Sequence, residues 1–366
     1  MSTASFPSGN TQDLARYTAS AASPGVERVC TPVSRSASEL PPPTGGRREP
    51  AGRAALRSLD SPAVLTVLDR AAWEPLQAAH EARVDAIAGP HLERRARGQK
   101  HPVEDFLWVY YRWRPAEIAR WHPGIGVALA DAGERATWKD HRPLTPAERE
   151  AAGWTGREGA GGVTVDVAAF MTRRGQAVER WHGILQATAN RPARFGCFGL
   201  HEWAMVHGLE ADDRRHGGVP LRLGREATDA VTETHTVACS HFDAYRFFTD
   251  SSRDLNTLRP GPEDRTAYEQ PGCLHATMDL YKVAATLGPL APGELLVDCL
   301  ELARDVRELD MRASPYDLRD WGYEPVRIET PEGKAAYVAA QRGFSERGQA
   351  LRARLVQVTS RALQVR

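Results

Sequence analysis

The chain is poor in lysine. Of its 47 basic side chains only Lys100, Lys139, Lys282 and Lys334 are lysines, against 43 arginines. Net charge is also absent, since 47 acidic residues match the 47 basic ones. That balance excludes a polybasic or a strongly acidic tail protein, but a local basic face could still meet nucleic acid. No apolar run approaches the roughly 20 residues of a membrane span, and the first twenty residues lack the apolar stretch of a signal peptide. The expectation is therefore a cytoplasmic protein with no membrane partner. Cysteine is scarce and scattered: Cys30, Cys197, Cys239, Cys273 and Cys299 form no CxxC pair. A disulfide framework or structural zinc knuckle is not expected from such spacing.

What is present divides the chain in two. Residues 1–58 are rich in Ser, Pro, Gly, Ala and Arg, with few large apolar side chains. Burial there cannot offset the entropy of ordering, so a disordered tail is expected. Residues 59–366 have ordinary globular composition and read as a single mainly α domain with a minor β element.

Helical spacing runs through 62–97, 164–189, 273–287, 293–312 and 332–361. In 293–312 the apolar residues Leu295, Cys299, Leu302, Val306 and Leu309 fall at offsets of four and three, a continuous stripe. Segment 103–111 is too apolar for an exposed helix and should be buried on most sides. FGCFGLHEWAMVHG reads as a short helix opened by glycines. Thr145–Pro146 is a helix start signal. DAVTETHTVACSHF, 229–242, is rich in Val and Thr and is the best strand candidate.

Three stretches concentrate reactive side chains. CFGLHEWAMVH carries His201 and Glu202; THTVACSHFDAYR carries His235, His241, Asp243 and Arg246; QPGCLHATMDLYK carries His275, Asp279 and Lys282. On a helix 275, 279 and 282 share one face. A His and an Asp one turn apart can act as an oriented acid/base pair or as two ligands of one metal. Equally, they could be a surface helix pair, and His241 with Asp243 a structural hydrogen bond. In so arginine-rich a chain Lys282 stands out, because a desolvated lysine can lose its proton and act as a nucleophile or base.

Asp298, Glu301, Asp305 and Glu308 form an acidic stripe beside the apolar one. A solvated face laced by Arg304 and Arg307 is the simplest reading, with Asp305 or Glu308 reaching a pocket as the alternative. ELDMRASPYDL adds Asp310, Arg312, Tyr316 and Asp317, and Arg312 could hold a carboxylate or phosphate bidentately. For nucleic acid, residues 91–120 and 342–366 are basic. The first interleaves Trp108, Tyr110, Tyr111, Trp113 and Trp121, which could stack on bases or belong to the core. The turn WHPGIG, 121–126, is similar to the hairpin of helix-hairpin-helix DNA-binding motifs, but Asp140 follows too early for the catalytic aspartate of glycosylases built on that motif.

The phrases HPVEDFL, RWHPG, FGCFGLHEWAMV, SHFDAYRFFT, QPGCLHATMDLYK and ELDMRASPYDL, in this order, resemble a group of actinobacterial proteins commonly named 3-methyladenine DNA glycosylase. The resemblance covers roughly 100 to 345. It implies base excision from alkylated DNA, by hydrolysis of an N-glycosidic bond, with DNA as partner and no cofactor. That chemistry needs a carboxylate and aromatic walls for a flipped, electron-poor base. The catalytic candidates are Asp243, His241, His275, Asp279, Lys282 and Glu202. The substrate-binding candidates are His201, Trp203, Tyr245, Arg246, Tyr281 and Arg312. The rival expectation is a metal- or His/Asp-dependent enzyme acting on a small molecule, with His201, His241, His275 and Asp279 as divalent-metal ligands. A non-enzymatic helical binding protein is the third class.

Overall fold

A computed structural model describes residues 65–154 and 161–365. The expected N-terminal tail, with Cys30, lies outside the described residues.

Four strands of three residues each and six helices of eleven or more make the frame. In chain order these are β1 (Thr66–Leu68), α1 (Arg70–Ala96), β2 (Val127–Leu129), β3 (His141–Pro143), β4 (Val163–Val165), α2 (Val167–Ala189), α3 (Gly224–Thr234), α4 (Leu274–Leu287), α5 (Gly293–Arg312) and α6 (Pro331–Leu363). The mainly helical architecture with a minor sheet is as expected. Several helix starts are chemically explicit. Asp69 and Asp166 accept hydrogen bonds from the backbone N–H of Ala72 and Ala169, and Thr330 caps α6 ahead of Pro331. Each satisfies an N–H that the helix leaves open. The predicted start at Thr145–Pro146 is a capping box with Glu148.

The core is built around α4 and α5, which pack most extensively on each other, with α6 against both, α2 against α6 and α1 against α5. The apolar stripe of α5 is buried as predicted, and Leu296, Val297, Leu300 and Ala303 are buried too. Covered on most sides, such a helix gains roughly 1.5–3 kcal/mol per large apolar side chain. Its acidic stripe is an ion ladder. Asp298 meets Arg83 at 2.8 Å and Arg354 at 2.7 Å, Glu301 meets Arg83 at 2.7 Å, and Asp305 meets Arg347 at 2.9 Å. Asp305 and Glu308 are thus both engaged in ion pairs, Glu308 with Arg312 at 3.1 Å.

The sheet runs in the order β1-β2-β4-β3, with β1 and β2 parallel and the other pairs antiparallel. It lies beside a tryptophan cluster of Trp73 and Trp121, where Arg135 also faces Trp138 at 4.7 Å. The 121–126 turn uses left-handed Gly124 and Gly126 and leads into β2, not into a second helix. The resemblance to a helix-hairpin-helix therefore stops at the turn. Trp108 and Trp121 are buried core residues.

The expected strand over 229–242 is not formed. Residues up to Thr234 complete α3, and beyond it Val237 makes only an isolated bridge to Asn256. The threonines that suggested a strand bond back along the helix instead. Thr232 Oγ1 donates to the Thr228 carbonyl at 3.2 Å and Thr234 Oγ1 to the Ala230 carbonyl at 2.6 Å.

Candidate functional site

Five segments bring polar side chains together within the helical core. α4 contributes His275, Asp279 and Lys282 from one face, as its spacing predicted. The C-terminal turns of α5 contribute Arg307 and Asp310. A short helix, Leu200–Ala204, carries His201 and Glu202. It is entered through two consecutive left-handed residues, Phe198 and Gly199, which turn the chain sharply after Cys197. His241 and Asp243 open a second short helix, Phe242–Tyr245, and a third, Arg265–Tyr268, supplies Arg265 and leads to Glu269.

His201 and Asp310 form the innermost pair, Nε2 to Oδ1 at 2.8 Å, with side chains 3% and 0% exposed. The other ring nitrogen of His201, Nδ1, lies 3.5 Å from Cys197 Sγ. The second oxygen of Asp310 lies 3.5 Å from Arg307 Nη1, which also donates to Glu202 at 3.0 Å. His275 stands edge-on to His201 with ring centroids 4.5 Å apart, and His241 follows at 5.5 Å from His275.

One donor atom from each of His201, His275 and Asp310 lies within 4.8 Å of the other two. No other group of three or more His, Cys, Asp or Glu converges in this way among the described residues. Tetrahedral zinc with bonds of about 2.0–2.2 Å holds its ligand atoms roughly 3.3–3.5 Å apart, so a small closure would suffice. The donor set fits a borderline divalent ion. Buried His275 Nδ1 has no hydrogen-bond partner, while Cys197 and Arg307 hold the outer atoms of His201 and Asp310, as outer-shell groups do around metal ligands.

A second network adjoins the first. Asp279 accepts from Tyr111 Oη at 2.9 Å and from Arg265 Nη2 at 2.6 Å. Its Oδ2 and Glu269 Oε1 each lie 3.4 Å from His241 Nε2, and Arg265 also donates to Glu269. Further out Lys282 pairs with Asp243 at 3.2 Å, and Arg246 approaches the same carboxylate at 3.4 Å.

Electrostatics follow from this arrangement. Burial pushes His201 down, but the Asp310 carboxylate outweighs it and raises the imidazole well above its usual range, so an ion bound between them would have to displace the proton that His201 shares with Asp310. Burial, then the charge of His201, lowers His275 to about 3, leaving the neutral imidazole that metals bind. Burial opposes ionisation of Asp279, yet Lys282 and Arg265 hold it well below the usual carboxylate range. Lys282 is likewise raised, because Asp279 and Asp243 overcome the burial that would deprotonate it. Burial pushes the Cys273 thiol up to about 12 and Cys239 higher still.

The expected site residues thus fall into three groups. His201, His275 and Glu202 lie in the innermost cluster. His241 and Asp279 belong to the adjoining network, so the expected quartet of His201, His241, His275 and Asp279 does not converge as one ligand set; Arg265 takes up Asp279, and Asp310 completes the set instead. Asp243, Lys282 and Arg246 form the outer ion pairs.

The remaining expected residues are occupied elsewhere. Trp203 is fully buried core and donates to the Ala313 carbonyl at 2.9 Å. Tyr245 packs on Phe248, and Tyr281 is enclosed by Tyr111 and Trp113. Arg312 is held by Glu308 and the Glu324 carbonyl. His235 bonds the Val231 carbonyl.

Arg307, Arg265, Glu269, Cys197 and Tyr111 were not among the expected site residues. Asp310 had a visible signal: it lies one turn beyond Val306, on the edge of the apolar stripe, where a carboxylate requires a buried partner. Comparison with known proteins adds no identity: no family model, no curated protein and no solved structure matches the chain.

Proposed function

We propose that this protein is a metal-dependent enzyme of hydrolytic type acting on a small polar molecule. The observation that carries the reading is the convergence of His201, His275 and Asp310 to within 4.8 Å. Three protein ligands leave room at a divalent ion for water and substrate, and such an ion polarises a carbonyl or phosphoryl group and acidifies water. The chain's own residues would do the rest. Arg307 orients Asp310, and Cys197 orients His201. Lys282 and Arg265 keep Asp279 ionised, and Tyr111 and Arg265 fix it beside His241.

A second reading, excision of an alkylated purine from DNA, rests on the resemblance of the quoted phrases. It draws support from Tyr110, Tyr111 and Trp113, half-buried aromatics near Asp243 and Asp279. In that reading Lys282, raised and paired with Asp243, contributes a fixed positive charge and not a Schiff base.

Both readings are tested together. Purified protein is assayed on a panel of small esters, amides and phosphoesters, and on alkylated duplex and single-stranded DNA, with and without chelator. The proposal expects small-molecule hydrolysis that chelator abolishes, added metal restores, and His275→Ala removes. Release of 3-methyladenine that ignores chelator would overturn it in favour of the glycosylase.

A further inference from the structure

Arg215 is an anomaly among the cations around these networks. Arg246, Arg265, Arg307 and Lys282 each contact a carboxylate. Arg215 makes no hydrogen bond or ion pair among the described residues. It is exposed, and its guanidinium rests on two aromatic rings, 5.4 Å from the Phe106 centroid and 5.7 Å from Phe247. Phe106 also carries Arg307, at 4.0 Å. Two guanidinium groups therefore share one ring.

The carboxylate within electrostatic range of Arg215 is Glu202, and Glu202 is already hydrogen-bonded to Arg307. Two further polar atoms nearby lack partners. Arg307 Nε is buried without an acceptor, although its side chain is only 3% exposed. Buried His216 Nε2, beside Arg215 in the chain, has none either. Arg215 is thus left without an acceptor and Arg307 Nε with a spare donor, while Glu202 and Asp310 are both engaged by Arg307 Nη1.

We infer that Arg215 binds an oxyanion of the substrate, which makes the substrate class a small molecule bearing a carboxylate or phosphate group. A guanidinium stacked on rings keeps its fork of N–H donors fixed and free at its edge, the geometry that suits planar or tetrahedral oxyanions. The position also fits. Phe106 links Arg215 to Arg307, and Arg307 touches Asp310, so a chain of three contacts connects Arg215 to the His201–His275–Asp310 cluster. The inference of substrate class rests on the enzymatic reading above; the anion site itself does not.

The test is calorimetric titration of the full chain with inorganic phosphate and, separately, acetate, at constant ionic strength against chloride. Metal content is measured on the same samples. Wild type should bind one of the two saturably, which tells phosphate from carboxylate. Arg215→Gln should bind it at least tenfold more weakly, and Arg215→Lys should recover part of the loss, with metal content unchanged in both. Binding that is equal in wild type and Arg215→Gln, or no anion response beyond chloride in wild type, overturns the site. Wild type that binds anion but never metal would instead sink the metal reading and leave the anion site standing.

Discussion

Replacing Asp310 by Asn separates a metal site from a merely structural ion pair. The substitution keeps size and one hydrogen-bonding oxygen but removes the charge between His201 at 2.8 Å and Arg307 at 3.5 Å. Breaking one side of a fully buried pair costs about 3–5 kcal/mol. Arg307 retains Glu202 at 3.0 Å, so the loss should sit near the lower end, about 3 kcal/mol by the same measure. At roughly 2–4 °C per kcal/mol for a domain of this scale, Tm should fall by about 6–12 °C. A structural pair predicts that much and stops.

A ligand role predicts a second effect. Zinc at 100 times Kd stabilises the native state by about 2.7 kcal/mol, so wild type should gain several degrees on loading. Asp310→Asn should gain almost nothing. Differential scanning calorimetry of both proteins, with zinc and with chelator, reads the two effects at once. An equal zinc-induced shift in Asp310→Asn would refute the ligand role.

Three further outcomes are expected. Burial, then the neighbouring His141, lowers His122 to about 3 from an ordinary 6.5. The unfolded chain therefore takes up a proton that the folded one refuses, and stability falls as pH drops from about 6.5 towards 3; His122→Gln should flatten that slope by roughly 2 kcal/mol at pH 5 in denaturant titrations. Lys282, held protonated by Asp243 and Asp279, should form no borohydride-trapped adduct with an aldehydic or abasic-site substrate, checked by mass spectrometry. Trp203→Ala should lose about 3–5 kcal/mol of stability, as for other large core deletions, and a measured loss below 1 kcal/mol would mean that Trp203 faces a pocket.

The sequence was most legible where periodicity and burial agree. The stripe through Leu295, Cys299, Leu302, Val306 and Leu309 correctly marked the central helix. The i, i+4, i+7 placement of His275, Asp279 and Lys282 correctly put those groups on one face. The sheet was not legible, because strands of three residues are too short to show an alternation. The threonines of 229–242 misled in the opposite direction: β-branched side chains favour strands on average, but Thr232 and Thr234 satisfy their hydroxyls on the preceding helical turn.

Site partners were harder to read than site residues. His201 and Asp310 are separated by 109 positions, and nothing local in the chain couples them. Arg307, with Arg304, reads in the sequence as lacing the acidic stripe of a solvated face. Only the fold shows it turned inward onto Glu202 and Asp310.

The central claim is that His201, His275 and Asp310 hold one divalent ion, and cobalt titration followed by its visible absorption tests it directly. Wild type should bind one equivalent with the intense bands of a low-symmetry site. His201→Ala, His275→Ala and Asp310→Ala should each abolish them, while Asp279→Asn, outside the ligand set, should keep one equivalent. No bound cobalt in wild type, or full binding in His275→Ala and Asp310→Ala, would contradict the claim.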